Sequence, residues 1–237
     1  MTTMERTELE MVEWSDHLRL MEWEQGEHVT IIGPTGQGKT TLALALAPLR
    51  GWVAVFATKP RDRVLDALNR DHGYRIIREW PPPTFDQRVI FWPRPPRDEP
   101  DNIKPQADAI RDALRMIYES GRWTVVFDEL RHVTDFLNQK RMVELFWQQG
   151  RSLGISVVAC TQRPTHVPLL AYDQATHLYL YGDRDETNIR RMGGLGWWSK
   201  GEIMRAISTL DRHDLLYLNT RNGVMHKTRL PESEVIA

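Results

Sequence analysis

Eight residues, GPTGQGKT from Gly33 to Thr40, constrain this chain more tightly than any other stretch of its 237. They satisfy G-x-x-x-x-G-K-[ST], a spacing whose chemistry depends on its flanks: a buried strand must lead in and a helix must lead out. Both are readable here. His28 to Ile32 is a short apolar run of strand type, and Lys39 to Ala47 is a helix-forming segment stopped by Pro48. In that setting the backbone N–H groups of the loop and the N-terminus of the helix make an anion cradle. Gly33, Pro34, Thr35, Gly36, Gln37, Gly38, Lys39, Thr40 and Thr41 are the expected phosphate-binding set. Lys39 would reach the β- and γ-phosphates, and the Thr40 hydroxyl would ligate Mg²⁺.

The rest of the chain repeats the same alternation of buried strand and periodic helix, which is the α/β pattern. Strands are expected at Leu18 to Trp23, Trp52 to Ala57, Arg88 to Trp92, Trp123 to Phe127, Ile155 to Thr161 and His177 to Tyr181. Helices are expected at Arg63 to Asn69, Gln106 to Ser120, Phe136 to Gln149, Glu186 to Met192 and Lys200 to Leu210. The Asn222-Gly223 dipeptide between Leu215–Asn219 and Val224–Thr228 signals a terminal β-hairpin. Residues 80–105 hold eight prolines and read as an irregular insertion, and residues 1–17 as an acidic N-terminal segment. With no repeat or linker in view, one domain is expected for a chain of this length.

Two further motifs add chemistry. WTVVFDE ends an apolar strand at Asp128 and Glu129. Beside a phosphate-binding loop, the first acid would hold Mg²⁺ and the second would act as base toward an attacking water; the plainer reading is two solvated acids opening a loop. GISVVACTQRP then ends another apolar strand at Gln162. A strand lying between the other two would aim Gln162 at the γ-phosphate; alternatively Thr161, Gln162 and Arg163 simply begin a solvated loop.

GPTGQGKT, VVFDE and CTQRP in that order, followed by HLYLYGDRDETNIRRMGG and a hairpin, resemble the HerA/FtsK superfamily of P-loop ATPases. Within it the chain is most similar to the small DNA-packaging ATPases of viruses and bacteriophages, over residues 18 to 230. The resemblance implies a three-layer, RecA-like ASCE fold with a mostly parallel sheet, ATP as nucleotide, a homo-oligomeric ring and movement of double-stranded DNA. A portal or capsid vertex protein is a further implied partner. Lys39 and Thr40 match the Walker A pair, Asp128 and Glu129 the Walker B pair, and Gln162 the sensor. Arg151 matches the arginine finger, inserted from the neighbouring subunit, with Arg163 as second choice; a solvated cation at a helix C-terminus is the plainer reading of Arg151. The loop TKPRDR, with Lys59, Arg61 and Arg63, matches the one that faces the DNA channel, a solvated turn leading into the helix from Arg63 being its plainer reading; the Pro-rich stretch with Arg94, Arg97 and Lys104 is its rival.

Composition narrows the alternatives. No apolar run is long enough to cross a bilayer, the acidic N-terminus does not read as an export signal, and a lone Cys160 cannot form an intrachain disulfide. A cytoplasmic protein is expected, in the host cytoplasm if viral. Net charge is −6 over residues 1–27 and +5 over the remainder, and Arg outnumbers Lys by 25 to 6, a bias that suits phosphate partners. The histidines lack metal-ligand spacing, and no N-K-x-D guanine-reading motif occurs. A plasmid-transfer or chromosome-type DNA pump, a small-molecule kinase and a non-hydrolysing nucleotide switch remain as rival functions.

Overall fold

In the computed structural model nine strands lie side by side with helices packed on both faces. Residues 9–83, 86–96, 98–99, 101–162, 170–183, 185, 187–188 and 197–232 are described. The strands are β1 (Val29–Ile32), β2 (Val53–Phe56), β3 (Arg75–Ile77), β4 (Arg88–Phe91), β5 (Thr124–Phe127), β6 (Ser156–Thr161), β7 (His177–Tyr181), β8 (Asp214–Asn219) and β9 (Val224–Arg229). The helices are α1 (Trp14–Met21), α2 (Lys39–Leu46), α3 (Arg63–Asp71), α4 (Lys104–Ser120), α5 (Lys140–Leu153), α6 (Leu170–Asp173) and α7 (Lys200–Ser208).

Across the sheet the order is β3-β4-β2-β5-β6-β1-β7-β8-β9. The first seven strands are parallel; β8 pairs antiparallel with β7 and β9 antiparallel with β8, the expected hairpin. Side chains alternate across the pleat. Val53 and Val55 of β2 enter one buried cluster with Leu42 of α2, Leu65 and Leu68 of α3 and Met21 of α1. Ala54 and Phe56 enter the other, with Ile110, Leu114 and Ile117 of α4 and Phe146 of α5. Covered on both faces, the strands read as unbroken apolar runs, and each Val, Leu, Ile or Phe buried in them contributes about 1.5–3 kcal/mol. The architecture is thus α/β in three layers, with a mostly parallel sheet.

Several local expectations are corrected. Residues 18–23 are not a strand: α1 runs through Met21 and ends at Glu22, whose φ of 46° is left-handed. Its buried side chains are Trp14, His17 and Met21, a three-then-four spacing that lines one helical face. The helix expected from Phe136 is also displaced. A π-helical turn (His132–Phe136) comes first, residues 137–139 break the path, and α5 begins at Lys140. β3 and α6, three and four residues long, are too short to show a period. The helix expected over 186–192 falls mostly outside the described residues.

Candidate active site

β1 ends at Ile32, and the chain turns at once into the loop that opens α2. Gly33 sits where no side chain fits: a Cβ there would lie 2.5 Å from the Tyr181 Cβ on neighbouring β7. Gly38 caps α2 with φ 99°, a left-handed conformation natural to glycine. No side chain caps this helix, so its first N–H groups are free to serve an anion. Lys39 follows. It is buried, 8% exposed, and its ammonium donates to the Pro34 carbonyl at 2.7 Å. Burial pulls its pKa below the ordinary lysine value, against the opposing pull of Cys160, Glu129 and Asp128.

The acids arrive from β5, two strands away, at the same C-terminal edge. One Asp128 oxygen accepts from the Thr40 hydroxyl and the other from the Lys59 ammonium. Glu129 is half-buried; burial and the neighbouring Asp128 charge raise its carboxyl pKa above the ordinary glutamate value. β6 lies between β5 and β1, so Gln162, one residue past it, falls between the two motifs. Its Nε2 donates to Glu129 Oε2 at 2.9 Å, and its Oε1 accepts from the Thr35 hydroxyl at 2.9 Å. Gln162 therefore bridges the phosphate loop and Glu129. A cleft of about 470 Å³ opens beside this bridge, lined by Glu129, Arg131, His132, Phe136 and Gln162 among others.

Thr40 and Asp128 offer a hydroxyl and a carboxylate at one point. Among the described residues no three His, Cys, Asp or Glu side chains converge as a metal cage. Two oxygen donors without a cage suit Mg²⁺, which keeps water and phosphate oxygens in most of its positions. The residues present therefore fit a magnesium-bound nucleoside triphosphate.

No protein-family model and no curated protein sequence matches the chain; solved structures do. It is similar to the DNA-packaging ATPase B204 from Sulfolobus Turreted Icosahedral Virus, with a TM-score of 0.59 at 15% identity, over 88% of this chain and 99% of that one. B204 from Sulfolobus turreted icosahedral virus 2 in complex with AMPPCP gives 0.55 at 14% identity, over 87% and 98%. VirB4 of Thermoanaerobacter pseudethanolicus gives 0.63 at 11%, over 87% and 90%. The fold is that of the P-loop ATPases. The likeness in fold thus follows the path of nearly the whole chain.

Within this P-loop ATPase fold, Lys59 lands elsewhere than expected, and Arg151 lies far from the P-loop of its own chain. Arg151, near the end of α5, lies at the opposite edge of the sheet, where its Cα is 3.1 Å from the Cβ position of Gly26. β6 alone separates it from Gln162 by roughly 20 Å at 3.3 Å per residue, so the exposed Arg151 cannot serve the P-loop of its own chain. Arg163 lies outside the described residues. Lys59 was expected to face a DNA channel, yet its ammonium lies on Asp128 and, at 3.4 Å, on Asp62. The Asp128 charge attracts it because β2 pairs directly with β5. Arg61 and Arg63 in the same loop are exposed.

Most other residues at this edge carried no sequence signal. Tyr181 shapes the loop through Gly33, its hydroxyl 3.3 Å from the Cβ position of Gly38. His213 approaches the Gln37 carbonyl at 3.2 Å. Arg78 and Arg94 stand over the ring of buried Trp92 at 5.3 and 5.4 Å, and the Trp92 indole N–H donates to the Lys59 carbonyl at 2.7 Å. A cluster of exposed cations thus follows β2, β3 and β4. Arg94 was legible as a rival DNA contact; Arg78 was not, because β3 was not.

Proposed function

We propose that this chain is a Mg²⁺-dependent ATPase that couples hydrolysis to movement of double-stranded DNA, as a viral genome-packaging motor does. The observation that carries the reading is the linked set Lys39, Thr40, Asp128, Glu129 and Gln162 at one sheet edge. Lys39 and the α2 N-terminus hold the phosphates, and Thr40 and Asp128 hold the metal. Bound Mg²⁺ supplies neutralisation of charge on the β- and γ-oxygens. Glu129, its carboxyl pKa raised by burial and by the Asp128 charge, is a better proton acceptor than an ordinary glutamate. Gln162 orients it and links its position to the loop.

The choice of duplex DNA rests on the cations and on the likeness to a DNA-packaging ATPase. Arg61, Arg63, Arg78 and Arg94 offer phosphate-binding charge without base-reading pairs, as a motor indifferent to sequence requires. Arg151, far from its own P-loop, acts on a neighbour's in a homo-oligomeric ring, where such a finger contributes ~10³–10⁵ in rate. The test is ATPase activity with and without duplex DNA over a salt series. The reading requires stimulation by duplex that fades steeply with salt. Equal turnover with and without DNA at every salt would refute the coupling.

A further inference from the structure

The Lys59 ammonium occupies the oxygen of Asp128 that Thr40 leaves free, so the cation and an incoming metal draw on one carboxylate. Lys59 sits on the loop between β2 and α3, followed by exposed Arg61 and Arg63. That loop is tethered at three points: Lys59 to Asp128, Lys59 to Asp62, and the Lys59 carbonyl to Trp92. Asp62 caps α3 through Oδ1, accepting from the Val64 and Leu65 N–H groups, and its Oδ2 stands 3.4 Å from the ammonium, a looser contact than the one to Asp128. Half of the Lys59 side chain is already exposed, so its outward path is open.

We infer that Lys59 is the link between nucleotide and DNA: it neutralises Asp128 until Mg²⁺ displaces it, and then adds its charge to the phosphate-binding cations around Trp92. The inference rests on the Walker assignment above and deepens it. Its thermodynamic content is a coupling. Lys59 cannot pair with Asp128 and with a DNA phosphate at once, so metal at Asp128 favours DNA, and DNA favours metal, by the same factor. The loop that grips DNA thereby senses the loaded state without any contact to the nucleotide.

Two measurements test this, neither of which reads turnover. Amine acylation of the intact protein, quantified by mass spectrometry, compares Lys59 with Lys140, Lys200 and Lys227. Adding Mg²⁺ and a non-hydrolysable ATP analogue should raise Lys59 labelling about threefold or more while protecting Lys39. Lys39 protected with Lys59 unchanged overturns the inference and spares the Walker assignment; Lys39 unprotected overturns both. The second measurement is duplex affinity with and without the Mg²⁺–analogue complex. Wild type should bind duplex about fivefold or more tighter when loaded, the lower end of ordinary allosteric coupling. Lys59→Gln should bring that ratio to about one and tighten Mg²⁺ binding, while Lys59→Arg should keep the coupling. An unchanged ratio in Lys59→Gln overturns the inference, and absence of duplex binding in every state removes it together with the translocase reading.

Discussion

Replacing Gly33 with alanine tests the loop geometry at its most crowded point. The added Cβ would meet Tyr181 Cβ at 2.5 Å, about 1 Å inside the 3.5–4.0 Å at which carbons attract. Tyr181 cannot swing aside, because its Cβ is fixed to a backbone registered on β1 through the Ile32–Leu180 pair. The loop must shift instead, and overpacking of this kind costs about 1–3 kcal/mol. For a chain of this size that lowers Tm by about 2–12 °C, and the displaced N–H groups should weaken ATP binding at least tenfold. Gly51→Ala is the control: a Cβ there meets nothing within 4 Å, and an unstrained surface change stays within about 0.5 kcal/mol. Thermal melting and fluorescent-nucleotide titration read both effects. A Gly33→Ala protein that melts and binds like Gly51→Ala would refute the reasoning.

Acid should destabilise the fold well above the carboxylate range. Burial holds His17 at about 3, and His28 and His226 at about 4, against 6.5 in the unfolded chain. Each is neutral when folded, so its contribution is intact above pH 6.5 and lost as pH falls toward 4, by about 1.4 kcal/mol per unit for each histidine. Tm should be level from pH 7 to 8 and fall steeply from 6.5 to 5; a level profile over the lower interval contradicts the burial argument. At the Trp92 cluster, Arg78→Ala and Arg94→Ala should each weaken duplex binding at all sequences and flatten the log affinity–log salt slope by about 1. An unchanged slope in the double variant would place the DNA elsewhere.

What the sequence disclosed was local. Gly33 to Thr40, Asp128 to Glu129 and Gln162 each close an apolar strand, and strand-end chemistry survives folding because the parallel strands β1, β5 and β6 bring their C-terminal ends to one edge. β7 and β8 were legible as Leu and Tyr runs, and β9 through the Asn222-Gly223 turn that precedes it. The failures involve partners distant in the chain. His17 reads as polar, yet α1 buries it against Tyr179 and His226, at 2.8 and 2.9 Å, from the far end of the sequence. Lys59 reads as a free loop cation, and the Asp128 that captures it is 69 residues on. The break at residues 137–139 has no period to betray it, since Leu137 is buried and Phe136 is 57% exposed.

Glu129→Gln addresses the whole account in one comparison, because the amide keeps the Gln162 contact within reach while losing the proton acceptor. The measurement is bound ATP by equilibrium titration alongside phosphate release under single-turnover conditions. ATP affinity within a few-fold of wild type with release slowed by about 10²–10⁴ is the expected result. Release at the wild-type rate would contradict it.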